Sequence, residues 1–236
     1  MDTNVYQELR VDLHSHLIPG IDDGAQDITI SIELVKGMME LGYSKLITTP
    51  HVMWDMYRNT YDEIKRGEAE LQKAVNDAGL NVEIKAAAEY FLDDHFASMV
   101  KQNQPLLFIS GKMVLVEFSM AFASHSLKDT LFEMQMKGLQ PIIAHPERYI
   151  YLQHQKEFYE ELKNIGCLFQ MNILSLTNHY GKSVNELAQY LIRNDFYDLV
   201  GTDLHHRGHL EAFRKSPLPG SLKKLVQSGR IRNSTL

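Results

Sequence analysis

Short apolar runs recur along the chain, and each run ends in a polar side chain that can bind a metal ion. In chain order, the runs end at His14 and His16, His51, Glu89, Glu117, His145, Asn172, and Asp203 with His205. Runs of this length are typical of buried strands, and the amphipathic stretches between them are typical of helices. The pattern predicts repeated strand and helix units that gather these polar side chains at the carboxyl ends of strands, where an α/β barrel keeps its reactive groups.

The stretches between the runs predict five helices. In the first, Ile30, Leu34 and Met38 recur at helical spacing. Asp27 is placed to cap the start of this helix and Gly42 to end it. The other helices are expected over 60–78, 127–137, 157–164 and 184–193. Seven strand candidates remain, so we predict an α/β fold built as a distorted, seven-stranded (β/α) barrel.

The length and charge of the chain limit the domain organisation and the partners. At 236 residues the chain has the length of one α/β barrel, so we predict a single domain over 1–236. Its core is expected over about 11–206, followed by a helical C-terminal extension over about 207–236. The formal net charge of −6 makes nucleic acid an unfavourable partner.

Cysteine usage and the amino terminus predict the cellular compartment. Cys167 is the only cysteine, so no disulfide can form within the chain, and its apolar neighbours predict a buried thiol rather than a nucleophile. Residues 1–5 lack the basic flank and apolar core of a signal peptide, and no apolar run is long enough to span a bilayer. We therefore expect a cytoplasmic protein without membrane insertion.

The types of residue at the ends of the runs favour particular metal ions. Histidine nitrogens and carboxylate oxygens without a thiolate suit manganese, zinc or iron, and manganese is the first expectation. The expected ligands are His14, His16, Asp23, His51, Glu89, Glu117, His145, Asp203 and His205. This set is too large for one ion, so two or three divalent ions are predicted, with Glu89 or Glu117 able to bridge. Three ions would leave a surplus of about +2 over the carboxylates, which matches a phosphate monoester and favours phosphoester hydrolysis.

Several neighbours of these ligands are expected to have supporting roles. Asp12 is predicted to orient a ligand imidazole rather than to bind metal. Asp22 is either a similar supporting carboxylate or the ligand in place of Asp23, and spacing does not decide between the two. His206 and His209 are interpreted as rim residues, one of which could protonate a leaving group. Surface positions are expected for His95, His125, His154 and His179, and four aromatic residues could line the mouth of a site: Trp54, Tyr57, Phe122 and Tyr180.

Several separated motifs follow one another in an order shared with a known superfamily. They are Asp-x-His-x-His at 12–16, Thr-Pro-His at 49–51, the glutamates at 89 and 117, Ala-His-Pro-Glu-Arg-Tyr at 144–149 and Asp-x-His at 203–205. Together they resemble the PHP superfamily, named for polymerase and histidinol phosphatase. His-x-His-x-x-Pro-Gly-x-Asp-Asp-Gly at 14–24 and His-Pro-Glu-Arg-Tyr at 145–149 resemble, more narrowly, the bacterial capsule-associated tyrosine phosphatases of the CpsB/CapC type. The resemblance spans about 11–206.

This resemblance implies a distribution of ligands and a substrate. In the family pattern one ion takes His14, His16, Glu89 and Asp203, a second takes Glu89 as a bridge with Glu117 and His145, and a third takes Asp23, His51 and His205. Arg148 would then hold the phosphate, because a guanidinium can donate to two phosphoryl oxygens at once. The implied partner is the phosphotyrosine-bearing tail of a membrane-associated bacterial tyrosine kinase that controls capsular or exopolysaccharide synthesis.

These expectations combine into one reaction with two alternatives. A hydroxide that bridges the metal ions would attack the phosphorus of phosphotyrosine, while Arg148 stabilises the developing charge. The first alternative is a phosphoesterase of the same superfamily that acts on a small ester such as histidinol phosphate or a nucleotide. The second is a metal-dependent module that binds phosphotyrosine without cleaving it. A cysteine-based phosphatase is not expected, because no arginine follows Cys167 until Arg193.

Overall fold

Strands and helices alternate along the chain in the computed structural model, which describes residues 4–124, 126–216 and 219–236. His125 and residues 217–218 of the predicted C-terminal extension lie outside these ranges. The described strands are β1 (Val11–Asp12), β2 (Lys45–Thr48), β3 (His51–Val52), β4 (Glu83–Ala86), β5 (Glu89–Phe91), β6 (Met113–Glu117), β7 (Gln140–Ala144), β8 (Leu168–Asn172) and β9 (Leu199–Gly201). The described helices are α1 (Val5–Leu9), α2 (Ile28–Leu41), α3 (Tyr61–Asp77), α4 (Asp94–Lys101), α5 (Leu127–Met136), α6 (Glu157–Ile165), α7 (Lys182–Arg193), α8 (Arg207–Lys215) and α9 (Gly220–Gln227).

The strands form two parallel sheets. One has the order β1-β2-β4 and the other the order β3-β5-β6-β7-β8-β9. Every pair of neighbours is parallel, so the carboxyl ends of the strands within each sheet lie at one edge. The segment that follows β1 is hydrogen-bonded to the segments after β2 and β9. Thr49 N donates to Ser15 O (2.6 Å), and Asp203 N donates to His14 O (2.7 Å). The α/β class and the parallel strands expected from the sequence are confirmed.

The predicted number of strands is wrong, because two of the seven predicted segments each contain two strands. The segment that ends at His51 divides into β2 and β3, and the segment that reaches Glu89 divides into β4 and β5. Pro50 lies in the gap and has no N–H, so it cannot donate the hydrogen bond that a continuous strand would make there. The register is the same on both sides of the gap, since Thr48 pairs with Ala86 and His51 with Glu89.

The five predicted helices are α2, α3, α5, α6 and α7, and local signals explain their starts. Asp27 caps α2 by accepting a hydrogen bond from Ile30 N (3.0 Å), and Thr60 forms a capping box with Glu63 at the start of α3. The sequence pattern predicts neither α1 nor α4, which are 5 and 8 residues long. None of the described helices combines the length and the hydropathy that a membrane crossing requires.

Strand side chains divide between two apolar cores. Val114 and Val116 belong to the larger core, which includes the buried faces of the helices, whereas Leu115 between them belongs to a smaller one. Successive residues of a strand face opposite sides of the sheet, which accounts for this division. The smaller core draws on many strands, through Val11, Ile47, Leu115, Ile142, Leu168 and Leu199. Helices therefore cover one side of the strands, and the strands pack among themselves on the other.

Candidate active site

Predicted ligands from six separate segments meet in and beneath one pocket of about 490 Å³. The most buried group consists of His14, His16, Glu89 and Asp203. His14 Nε2 lies 3.2 Å from Glu89 Oε2 and 3.3 Å from Asp203 Oδ1. His16 Nε2 lies 3.5 Å from each of the same two oxygens and 3.4 Å from His14 Nε2. Each of the two imidazole nitrogens therefore lies within 3.5 Å of both carboxylate oxygens, a spacing that suits the ligands of a cation.

The second carboxylate oxygen of Glu89 lies in a neighbouring group. Its Oε1 is 3.1 Å from His145 Nε2, which is 3.8 Å from Glu117 Oε2. His51 Nδ1 lies 3.2 Å from Glu89 Oε2 and 3.1 Å from Glu117 Oε1. Glu89 therefore contacts both groups, as a bridging carboxylate requires.

A third group lies nearer to solvent and separates the roles of the two adjacent aspartates. Asp23 Oδ1 is 3.5 Å from His51 Nε2 and 3.5 Å from His205 Nε2. Asp22 instead accepts hydrogen bonds through Oδ2 from His16 Nδ1 (2.8 Å) and His51 N (3.1 Å). The structure thus places Asp23 among the candidate ligands and Asp22 behind an imidazole, where it orients His16.

Asp12 does not lie where the sequence predicts. Its carboxylate accepts hydrogen bonds from the backbone N–H (2.9 Å) and the hydroxyl (2.8 Å) of Thr202. The Nδ1 atom of His14 is bonded instead to Gln170 Oε1, at 2.7 Å. The difference arises because Gln170 reaches His14 from another strand, β8, a contact between positions far apart in the sequence. Burial raises the pKa of Asp12 to about 7.

Two candidate ligands that line the pocket have a positive backbone φ angle, which is unusual for residues other than glycine. His145 follows β7 with a φ of 33°, and Asp203 lies just beyond β9 with a φ of 54°. The left-handed region costs about 1–3 kcal/mol for a residue with a Cβ atom and persists where the surroundings impose it. For Asp203 the hydrogen bond from its N–H to His14 O supplies part of that constraint.

The electrostatics of the cluster fit a bound cation. Burial disfavours a charged imidazole, but the carboxylates of Glu89 and Asp203 raise the pKa of His14 to about 9. Burial likewise opposes ionisation of Glu89, but His14 and His51 hold its pKa well below the ordinary value. Glu89 Oε2 and His51 Nδ1 are both buried without a hydrogen-bond partner, although they lie only 3.2 Å apart. Lone pairs that converge without bonding each other are suited to a shared metal ion, so the donor set fits divalent cations.

Arg148 lies at the edge of this cluster, in the short helical turn Pro146–Arg148 that follows His145. Its Nη1 donates to Asp203 Oδ2 (2.9 Å), and its guanidinium lies 4.7 Å from the centre of the Tyr180 ring. The side chain lines the pocket and is 27% exposed. Arg148 is therefore held by a charged partner and an aromatic ring while it remains accessible from the pocket.

Two different walls rise from the cluster. The first, here called the apolar wall, lies at and beyond the carboxyl ends of β3, β5 and β6 and consists of Met53, Met56, Tyr57, Phe91, Phe118 and Met120. The second, here called the basic wall, follows β7, β8 and β9 and consists of Arg148, Tyr180, His206 and His209. The strand order places the three members of each set of loops next to one another. The pocket can therefore hold a molecule with an apolar part and an anionic part.

The remaining histidines and aromatic residues differ in their distance from the pocket. Tyr57 and Tyr180 line it, whereas Trp54 stacks on His95 beside a smaller pocket. Phe122 is 64% exposed. His154 and His179 are exposed. The sequence patterns missed Gln170, whose contact with His14 no local motif signals, and the methionines of the apolar wall.

Comparisons with known proteins agree with this site. The family model described as capsular polysaccharide synthesis, CpsB/CapC, matches residues 10–216. The chain is 26% identical over 195 residues to the putative tyrosine-protein phosphatase CapC of Staphylococcus aureus, covering 83% of this chain and 76% of that one. It is 25% identical over 196 residues to the tyrosine-protein phosphatase YwqE of Bacillus subtilis, covering 83% and 77%.

A solved structure gives the same fold. It is one of the crystal structures described for YwqE from Bacillus subtilis and CpsB from Streptococcus pneumoniae, which are called unique metal-dependent tyrosine phosphatases. The TM-score is 0.80 at 23% sequence identity, and the match covers 94% of both chains. The match extends over nearly the whole chain, as expected for a single-domain α/β protein. The resemblance seen in the motifs is confirmed, and this chain belongs to the CpsB/CapC family.

Proposed function

We propose that this protein is a metal-dependent phosphotyrosine-protein phosphatase. The observation that carries the proposal is the convergence of Glu89 with four histidines and two further carboxylates beneath a pocket that Arg148 also lines. Two relatives in the family are named tyrosine-protein phosphatases, which supports the same activity. The proposed substrate is a phosphotyrosine in the tail of a bacterial tyrosine kinase that controls capsular or exopolysaccharide synthesis. The reaction is proposed to take place in the cytoplasm.

The candidate ligands divide into three sites. We assign His14, His16, Glu89 and Asp203 to the first, Glu89, Glu117 and His145 to the second, and Asp23, His51 and His205 to the third. The close approach of the ligand atoms within each set supports this assignment. Manganese is the proposed ion, with zinc and iron as alternatives. Divalent ions held here would supply the activation of water and the neutralisation of phosphoryl charge that hydrolysis requires.

The protein's own residues bind and orient the phosphoryl group. Arg148 uses Nη1 for Asp203 Oδ2, which leaves its other N–H groups free to donate to phosphoryl oxygens. Asp203 and the ring of Tyr180 limit the motion of the guanidinium, so less conformational entropy is lost when the substrate binds. Charge that develops on the phosphoryl oxygens would be stabilised by donors already in place.

The apolar wall supports an aromatic leaving group rather than a small polar ester. Met53, Met56 and Met120 offer apolar surface beside the cluster, and the ring of tyrosine has the complementary character. A phenol leaves with a pKa of about 10, so its departure depends less on a strong general acid than that of an alkyl alcohol does.

We further propose that the two sheets close into one distorted barrel around the small apolar core. The hydrogen bonds from Thr49 N to Ser15 O and from Asp203 N to His14 O support closure, because they join the end of β1 to the ends of β2 and β9. The core residues contributed by both sheets support it as well. A barrel would bring the carboxyl ends of all the strands to one rim, where the candidate ligands lie.

Phosphate release from a tyrosine-phosphorylated peptide tests the function. Metal-stripped protein would be assayed alone and with manganese, zinc or magnesium added back, beside the variants His145→Ala and Arg148→Ala. We expect release that depends on the metal and is lost in both variants. Histidinol phosphate and a nucleotide monophosphate, assayed in parallel, test the small-ester alternative.

The outcomes separate the alternatives. Faster turnover of the small esters than of the peptide would overturn the phosphotyrosine assignment. If the peptide binds but no phosphate is released with any of the metals, the protein is a phosphotyrosine-binding module rather than an enzyme. Metal-independent release would overturn the proposed role of the cluster.

A further inference from the structure

Two buried amide side chains on β8 connect two of the candidate metal ligands. Gln170 Oε1 lies 2.7 Å from His14 Nδ1, and Gln170 Nε2 lies 2.8 Å from Asn172 Oδ1. Asn172 Nδ2 lies 2.7 Å from Asp203 Oδ2. All four residues are at most 2% exposed, so water does not replace these contacts. His14 and Asp203 are thus connected through Gln170 and Asn172, in addition to the direct approach of His14 Nε2 to Asp203 Oδ1.

The direction of every hydrogen bond in this series follows from the chemistry at one end. An ionised aspartate can only accept, so the Asn172 amide must present its NH₂ group to Asp203 and its oxygen to Gln170. Gln170 must then donate through Nε2 to Asn172, which leaves its oxygen toward His14. An amide oxygen accepts only, so His14 must carry a proton on Nδ1. The lone pair of a neutral His14 is therefore on Nε2, the atom that faces Glu89 and Asp203.

The surroundings fit this arrangement closely. Asn172 pairs with Gly201 of β9, and a Cβ atom at position 201 would come within 2.7 Å of His14 Cβ and 2.8 Å of Gln170 Nε2. The backbone of β9 therefore leaves room for His14 and for the Gln170 amide because residue 201 is glycine. Asp203 Oδ2 also accepts from Arg148 Nη1, so the same series reaches the proposed phosphate-binding residue.

We infer that Gln170 and Asn172 act as one positioning unit that fixes the tautomer of His14 and the orientation of Asp203 for the first metal site. The inference rests on the proposed metal sites and adds residues that contact no ion. Partners of this kind typically change metal affinity by about 10- to 100-fold when they are removed. Because each amide orients the other, breaking the series at either residue should release both ends.

Metal affinity of the stripped protein tests the inference. Manganese would be titrated calorimetrically into the wild type, Gln170→Leu, Asn172→Leu and the double variant. We expect each single variant to bind the tightest ion about 10- to 100-fold more weakly. The double variant should lose little more than the weaker-binding single variant, since the two residues act as a unit. Circular dichroism and thermal unfolding would show that each variant is folded.

Gln72→Leu is the matched control. Gln72 also has both ends of its amide hydrogen-bonded, to Ile84 N and to Asn76 Oδ1 and Val82 O, but it lies on α3 outside the pocket. Its replacement should leave the manganese affinity unchanged. Gln170→Glu keeps an acceptor for His14 and replaces the donor to Asn172 with a second, charged acceptor oxygen, so it should bind manganese more tightly than Gln170→Leu.

Three results would overturn the inference. The first is a manganese affinity in each single variant within about twofold of the wild type. The second is a fold-loss of manganese affinity in the double variant that equals the product of the two single fold-losses. The third is an equal manganese affinity in Gln170→Glu and Gln170→Leu. The failure of the proposed function is a separate result, because it would appear in the wild type as an absence of manganese binding or of turnover.

Discussion

The two walls of the pocket differ in chemistry, although the same edges of parallel strands build both. On the apolar wall, Met56 is 64% exposed and Met120 is 39% exposed, a position that costs free energy unless a ligand covers it. On the basic wall, Arg148 is held by Asp203 and Tyr180. The candidate ligands beneath come from the strands and loops that build both walls and from the segment after β1. The comparison indicates that the ligand cluster at the base of the pocket is suited to metal-dependent hydrolysis. The basic wall is suited to the phosphoryl group of the substrate and the apolar wall to its leaving group.

Removing the charge of Glu89, which lies beneath both walls, should have the largest effect on activity. Glu89→Gln keeps the size of the side chain, but it removes the charge that the four imidazoles of His14, His16, His51 and His145 surround. We expect kcat/KM to fall at least about 1000-fold, which corresponds to ~4 kcal/mol of transition-state stabilisation. The same loss is expected for a phosphotyrosyl peptide and for p-nitrophenyl phosphate, with lower metal content measured by mass spectrometry.

The exposed Asp55 provides the matched control for this change. Asp55→Asn makes the same carboxylate-to-amide replacement outside the cluster and should leave activity and metal content unchanged. Near-normal metal content and turnover in Glu89→Gln would remove Glu89 from its proposed bridging role.

Changes on the basic wall should affect the phosphoryl group in every substrate. Arg148→Ala removes the donors that face the pocket, and we expect kcat to fall by about 100- to 1000-fold for both the peptide and p-nitrophenyl phosphate. Arg148→Lys should recover only part of this loss, because an ammonium group cannot donate to two oxygens in the geometry of a guanidinium. A change in KM for the peptide alone, with kcat intact, would instead assign Arg148 to the binding of the peptide chain.

Changes on the apolar wall should affect the leaving group and spare the phosphoryl group. Met56→Ser and Met120→Ser remove apolar contact worth about 1 kcal/mol each, so KM for aryl phosphates should rise by about fivefold while kcat changes little. The KM for an alkyl ester such as phosphoserine should stay the same. Met136→Ser is the control, because Met136 is 72% exposed on α5 and does not line the pocket. Equal increases in KM for aryl and alkyl esters would contradict the division between the walls.

The sequence predicts best where the signal is local. Asp27 and Thr60 mark the starts of α2 and α3 because a capping side chain acts within three residues of its own position. The polar residues at strand ends were brought together as expected, since parallel strands carry their ends to a common edge. The short helix α4 was missed because only Phe96 and Val100 are buried on it, too few residues to establish a helical period.

Long-range contacts explain most of what the sequence could not predict. Gln170 reaches His14 across 156 positions, so no spacing rule connects the two residues. The choice between Asp22 and Asp23 depends on the path of the loop after His16, where Gly24 fits closely: a Cβ atom there would come within 2.4 Å of His16 Cβ. The division of two predicted strands depends on the register in which Pro50 meets its neighbour. Each of these is a property of the assembled sheet.

The smallest effect on catalysis is expected at Cys167, which belongs to neither wall. It is 1% exposed, and burial raises the pKa of its thiol to about 12, so almost no thiolate is present near neutral pH. Cys167→Ser should change kcat/KM by less than about twofold but lower the free energy of unfolding by about 1–3 kcal/mol, because a hydroxyl replaces a thiol in an apolar core. The thiol of the folded wild type should react slowly with iodoacetamide. A large loss of turnover in a folded Cys167→Ser protein would favour a thiol nucleophile, and both walls would then have to be reinterpreted around it.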